Sequence, residues 1–149
     1  MLIRRDRGLV AVAVMLDVAF YGGRAATVSA ADIADRLGLA RRGMEPLLQA
    51  LSRAGLLESV RGPRGGYRLG RPRRDIMLDE IVAVAVADEA APTDGPTGRL
   101  QEAVVDALWS ELEAQARAQL AGLTLDDLIR RAAAAGLRRP TAEPISFAI

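Results

Sequence analysis

The chain has 149 residues, half of them apolar and 26% charged, enough for one buried core, as one domain or one domain with an appended element. It contains no histidine and no cysteine, which removes the commonest general base and metal ligand, every disulfide and every thiolate. Its net charge of +1 conceals a split: residues 1–75 carry 14 Arg against 7 Asp+Glu, whereas residues 76–149 carry 6 against 12.

A basic first half and an acidic second half predict that one end faces a polyanion. Catalysis is not expected. The sequence has no Walker loop, no G-x-G-x-x-G and no H-E-x-x-H, and a nucleophilic triad would have to work without His or Cys.

The first element is the apolar run Leu9–Leu16, stopped by Asp17. It has the look of a secretory leader, but it falls far short of the ~20 residues that span a bilayer, and a buried helix accounts for the same residues. No membrane contact is expected, and the expected setting is cytoplasmic. Next, Ser29 reads as an N-cap with Asp32 three residues on, followed by Ile33, Ala34 and Leu37 at helical spacing, and Gly38 stops the helix. After a short turn, a second helix over about Arg41–Ala54 places Met44, Leu47, Leu48 and Leu51 on its apolar side, and Gly55 ends it. Two such helices form a helix-turn-helix, whose second member can enter a major groove. Pro46 removes a backbone donor and Gly43 lowers helix propensity, so irregular first turns are predicted for that helix.

Leu56–Val60 and Tyr67–Leu69 read as strands joined by the turn Gly62-Pro63-Arg64-Gly65-Gly66. A hairpin directly after a helix-turn-helix is a wing. Arg61, Arg64, Arg68 and Arg71 are then placed to reach phosphates, and a tip arginine can enter a narrow minor groove. Base readout falls to Arg41, Arg42, Glu45 and Gln49: arginine suits guanine, glutamate suits cytosine N4 and glutamine suits adenine, although each could equally contact a phosphate. Arg7 joins this expected DNA-binding set.

The stretch DIMLDEIVAVAV reads as a further helix. From Thr97 to Leu120, Leu100, Val104, Leu108, Leu112 and Leu120 recur at multiples of four, with Val105 and Trp109 beside them. Such a stripe buries against something, either its own domain or a second chain. Thr124 with Asp127 caps one more short helix, and residues 138–149, with two prolines, read as a tail.

The order ADIADRLGLARRGMEPLLQALSRAGLLESVRGPRGGYRLGRP resembles the Rrf2 family of bacterial winged-helix transcription regulators, and RGPRGGYRL matches that family's wing signature nearly letter for letter. The resemblance extends through MLDVA, DIMLDEIVAVAV and LWSELEAQARAQLAGLTLDDLI, about residues 4–133. It implies a mainly α fold with a small β-hairpin: a winged helix-turn-helix over 1–87 with its wing at about 56–70, and a linker at 88–96. A dimerisation helix and a short following helix would occupy 97–136, and a tail 137–149. It also implies a homodimer made through the long helix, with Leu100, Val104, Val105, Leu108, Trp109, Leu112 and Leu120 at the contact.

Members of the family often carry an iron–sulfur cluster on three cysteines and a fourth ligand. Counting back from Trp109, the last cysteine position falls on Ala103 and the fourth ligand on Asp106, so no cluster and no other cofactor is expected. Asp88, Glu89, Asp94, Glu102 and Asp106 match no calcium loop, and no metal site is expected. The function expected is a sequence-specific DNA-binding regulator, a repressor that binds an inverted repeat of double-stranded DNA as a homodimer. The alternatives are a winged-helix protein-interaction module and a regulator controlled by a partner protein or small ligand.

Overall fold

The computed structural model describes residues 7–87 and 95–139. Its helices are α1 (Arg7–Tyr21), α2 (Ala30–Leu37), α3 (Arg41–Arg53), α4 (Leu78–Val86), α5 (Asp106–Ala121) and α6 (Leu125–Ala134). Strands β1 (Leu57–Val60) and β2 (Gly66–Leu69) lie between α3 and α4, and a short 3-10 turn covers Arg73–Asp75.

α1 is apolar on almost every side and accordingly occupies the middle, packed against α2, α4, α6 and β2. Ala11, Val14, Met15, Val18 and Ala19 are buried along it, and Ile33, Leu48, Leu51, Leu56, Leu69, Ile76, Ile81 and Leu125 close around them. Each buried aliphatic side chain of this size contributes about 1.5–3 kcal/mol relative to exposure. The same helix also buries a charge. Asp17 is only 6% exposed, and both its oxygens accept hydrogen bonds from Arg36 of α2 at 2.8 Å. The Arg36 guanidinium lies 3.9 Å from the centre of the Tyr21 ring, so a cation–π contact holds its other face.

Ser29 caps α2 through Asp32 N–H at 3.1 Å, and α2 ends at Gly38. α3 combines the irregular first turn expected of it with an otherwise continuous helix. It is helical from Arg41, although its first turn is tightened, with Gly43 N–H bonded to Ala40 O three residues back at 3.2 Å. Pro46 leaves the Arg42 carbonyl without its helical donor, but burial of Met44, Leu48 and Leu51 on the opposite side keeps the helix continuous.

β1 and β2 are antiparallel, pairing Leu57 with Leu69, Glu58 with Arg68, Ser59 with Tyr67 and Val60 with Gly66. A third segment joins them. Val28 and Tyr67 exchange two backbone hydrogen bonds of 2.8 Å, Leu69 N–H donates to Gly23 O at 2.8 Å, and Thr27 Oγ1 donates to Arg64 O at 2.7 Å. The connection between α1 and α2 therefore runs as an edge strand of the wing. Gly66 is required for this approach, because a Cβ there would stand 2.5 Å from the Val28 carbonyl oxygen.

The C-terminal helices are pinned near their junction. Leu78 N–H bonds Leu123 O and Leu125 N–H bonds Ile76 O, both at 2.9 Å, and Thr124 and Asp127 form the expected capping box on α6. Asp127 is held below the usual carboxylate range, chiefly by the Thr124 N–H. The cap is therefore complete above that range and is lost as pH falls through the lowered value.

α5 is preceded, without a break, by a wide turn at Gln101–Val105 in which Asp106 N–H bonds Gln101 O, five residues back. A regular helix advances about 100° per residue and would spread the stripe from Leu100 to Leu120 over roughly 200° of its circumference. The one extra residue absorbed in the wide turn draws it into roughly 120°. Among the described residues, no helix is long and apolar enough to cross a membrane.

Asp17→Ala removes the buried partner and leaves the Arg36 guanidinium, which is 30% exposed and open to solvent. The expected cost is that of lost hydrogen bonds to a charged group, about 1.5–3 kcal/mol, measured by urea unfolding. The contact with Asp17 raises the pKa of Arg36, so its contribution is present throughout the range below the ordinary arginine value and is lost only at still higher pH. The destabilisation should accordingly be the same at pH 6 and pH 9, and a loss confined to one end of that range would exclude the ion pair as its cause.

Candidate nucleic-acid interface

α3 is held at its buried side by Met44, Leu48 and Leu51, which leaves Arg41, Arg42, Glu45 and Gln49 exposed on the other. The edge strand at Val28 fixes the wing beside that exposed side. Between them lies an open groove of about 530 Å³, lined by Ser29 and Ala30 at the start of α2, by Arg41, Glu45 and Gln49 of α3, and by Ser59, Arg61, Gly62 and Tyr67 of the wing. Residues expected to read bases and residues expected to reach phosphate thus face one cleft.

The arginines differ in how far they are engaged. Arg41 Nε stands 3.9 Å from Glu45 Oε1, a loose contact between two side chains that are each more than half exposed. Arg42, Arg61 and Arg64 are exposed and make no ion pair among the described residues. Arg64 is placed at the wing tip by its own carbonyl, which accepts from Thr27.

Arg68 and Arg71, both expected to reach phosphate, each meet a carboxylate in the structure while staying partly exposed. Arg68 forms a two-pronged pair with Glu58 across the hairpin, at 2.9 and 3.1 Å. The hydrogen bond from Arg68 lowers the pKa of Glu58, and Glu58 in turn raises that of Arg68. Arg71 donates to Glu80 Oε2 at 3.1 Å, and that same oxygen accepts the Met77 N–H ahead of α4 at 3.2 Å. The pairing has a geometric cause: Glu58 is the register partner of Arg68, and Glu80 is the third residue of α4. Arg7 opens α1, is exposed, and is not among the residues lining the groove.

Sequence reading missed Thr27 and Val28, which position the wing; the only signal for them was a β-branched pair just ahead of the Ser29 cap.

The stripe on the long helix does not pack onto its own domain over most of its length. Leu100 is 80% exposed, Val104 58%, Leu108 47% and Trp109 49%, and Val105 is exposed as well. Leu112 is half-buried, and Leu120 packs against the core.

A family model described as "Rrf2: Iron-dependent Transcriptional regulator" matches residues 5–131. The chain is 35% identical over 130 residues to the HTH-type transcriptional regulator IscR of Vibrio atlanticus (strain LGP32), covering 84% of this chain and 73% of that protein. Against the IscR of Escherichia coli O1:K1 / APEC the identity is 36% over 127 residues, with 83% and 78% covered. Among solved structures, T. potens IscR superposes with a TM-score of 0.70 at 30% identity over 93% of this chain and 94% of that one. The global cysteine regulator CymR of B. subtilis superposes with a TM-score of 0.68 at 26% identity over 88% and 98%.

The iron in that family description does not fit the donor set of this chain. An iron–sulfur cluster needs thiolates, and the 149 residues contain no cysteine. Ala103 offers only a methyl group on the wide turn, and the Asp106 carboxylate already accepts from the Gln101 side chain at 2.9 Å. Among the described residues no three His, Cys, Asp or Glu come together to hold a metal. Asp88, Glu89 and Asp94 lie outside the described residues. Purified protein is therefore expected to be colourless, and its affinity for a given DNA to be equal under air, under argon and after chelator treatment. Brown protein whose DNA binding collapses in oxygen would show ligands supplied from elsewhere.

Proposed function

The chain belongs to the Rrf2 family, and from that membership we propose that it is a DNA-binding transcription regulator, a repressor acting on an inverted-repeat operator as a homodimer. The observation that carries this reading is the groove between α3 and the wing, with Arg41, Glu45 and Gln49 on one wall and Arg61 at the other, and with Arg42 exposed on α3 outside the lining. In this reading α3 enters the major groove, where Arg41 and Arg42 bond guanine edges or flanking phosphates, and Glu45 and Gln49 read cytosine and adenine. Arg61 and Arg64 carry the wing along the adjacent backbone and into the minor groove. Arg68 and Arg71 act mainly by holding the wing and the α4 end in place, since each charge is already met by a carboxylate.

A protein-interaction module is the competing use of a winged helix. The exposed arginines argue against it, because a groove lined this way suits phosphate better than an apolar partner.

The exposed face formed by Leu100, Val104, Val105, Leu108 and Trp109 supports dimerisation through the long helix. A contiguous apolar face of this kind on a helix marks an interaction site. Each protomer would then present one α3 and one wing, and the pair would read half-sites about one helical turn apart or a multiple of it. The relatives in hand are regulators rather than enzymes, in keeping with a chain that lacks His and Cys.

Two measurements test the reading. In fluorescence-anisotropy titrations against a genomic operator, Arg64→Ala should cost about 1–3 kcal/mol and flatten any preference for A·T pairs beside the major-groove contacts. Arg68→Ala should cost distinctly less, because Glu58 already offsets that charge. Equal losses in the two variants would place Arg68 on DNA and remove the distinction. In sedimentation, Trp109→Ala should weaken the dimer by about 2–4 kcal/mol, roughly thirtyfold or more in dissociation constant, and DNA affinity should fall with it. A wild-type chain that stays monomeric at micromolar concentration, or that protects a single asymmetric half-site, would refute the dimeric reading.

A further inference from the structure

A second cleft lies at the root of the wing, on the far end of the same edge strand that positions its tip. It encloses about 490 Å³, and its walls come from four separate parts of the chain. Gly22 to Ala25 form the connection after α1, Leu69 ends β2, Pro72 to Arg74 follow the wing, and Asp126 and Arg139 come from the C-terminal region. None of these residues lines the groove beside α3.

Four arginines converge on this cleft with one carboxylate between them. Arg73 Nε is bonded to Asp126 Oδ1 at 2.6 Å, which leaves the two terminal nitrogens of its guanidinium without a protein acceptor. Asp126 is shared, since Arg130 Nη2 reaches its other oxygen at 3.0 Å. Arg139 folds back onto the C-terminal end of α1, donating to Ala19 O at 2.9 Å and Phe20 O at 3.3 Å. Arg24 and Arg74 are exposed and form no close ion pair among the described residues, although Arg24 lies near enough to Glu58 to help Arg68 lower its pKa. Four like charges drawn together around one carboxylate repel one another unless an anion is shared between them, and a concave wall of one sign concentrates such an anion.

We propose that this cleft binds a small, multiply charged oxyanion of the phosphate or polycarboxylate class, held by Arg24 and Arg74 and completed by the free edges of Arg73 and Arg139. Planar guanidinium forks match both chemistries, and arginines from separate segments can meet such an anion from more than one side. The position gives the site a consequence. An oxyanion on Arg73 competes with Asp126 at the first turn of α6, and its contact with Arg24 lies on the connection whose far end, at Thr27, holds the Arg64 carbonyl. Occupancy therefore biases the placement of the wing relative to the C-terminal helices. That regulatory consequence rests on the DNA-binding reading above; the binding itself does not.

The test is calorimetric titration of the full chain with inorganic pyrophosphate and, separately, with citrate, at near-physiological chloride. Saturable binding of one anion per chain by either probe is expected. It should weaken about tenfold for each of Arg24→Ala and Arg74→Ala and stay unchanged in the Arg42→Ala/Arg61→Ala double variant. Both cleft positions are exposed, and a melting curve shows whether the variants remain folded. The proposal is overturned by an absence of saturable binding, or by equal loss in the groove variant, which would mean diffuse attraction to any arginine. It is also overturned if the Arg24/Arg74 variants lose DNA affinity and salt dependence while no oxyanion binds, since the cleft would then be a backbone contact for DNA. If wild-type protein binds the probe but no DNA, the site stands and the regulator reading fails.

Discussion

The double hydrogen bond between Val28 and Tyr67 is the constraint on which the rest of the molecule is arranged. A two-stranded hairpin is marginal by itself in water. Here a third segment, contributed from ahead of the helix-turn-helix, pairs with it and removes that freedom. Because this segment leads directly into the Ser29 cap of α2, the wing and the α2–α3 pair are referenced to the same few residues. The groove beside α3 exists because those two references agree. Gly66 follows from the same contact, since no side chain fits between its backbone and Val28.

Arginine is the only basic residue in this chain, yet its copies serve three distinct physical roles. Arg36 neutralises a buried carboxylate and joins α1 to α2. Arg68, Arg71 and Arg73 are matched to Glu58, Glu80 and Asp126, and each of these pairs joins two segments of the polypeptide. Others, among them Arg42, Arg61 and Arg64, make no ion pair among the described residues and keep their charge available. Exposed pairs contribute little to stability individually. Their effect is to define which charges point outward, which a count of arginines along the wing overstates.

Local signals made most of the fold legible in the sequence. The caps Ser29 and Thr124, the stop at Gly38, the glycine-rich turn of the wing and the apolar spacing of α3 each act over a few residues, and each appears where its pattern placed it. What escaped were interactions between residues far apart in the chain. Nothing near Thr27 announces a hydrogen bond to residue 64, and nothing near Arg73 announces Asp126. The candidate site was legible as composition and spacing. Which arginines are spoken for depends on hairpin register and on how α4 and α6 dock, and both are set by tertiary packing. Pro46 shows the converse case, in which a local rule weakens the first turns and burial on the opposite side of α3 carries the helix through them.

The wide turn at Gln101–Val105 makes the long helix tolerant of residue count in an unusual way. In an ordinary helix, adding or removing one residue shifts everything beyond it by about 100° and scatters an apolar face. Here one extra residue is already accommodated, and the face is coherent in spite of it. Removing a residue from this stretch would close the wide turn into an ordinary one. Leu100 would stay on the side of Leu108 and Leu112, because seven residues of regular helix turn through about 700°, close to two full circles. Within these five residues a change of polypeptide length is taken up without becoming a change of direction, so lineages that differ there by one amino acid would still offer the same azimuth to a neighbour.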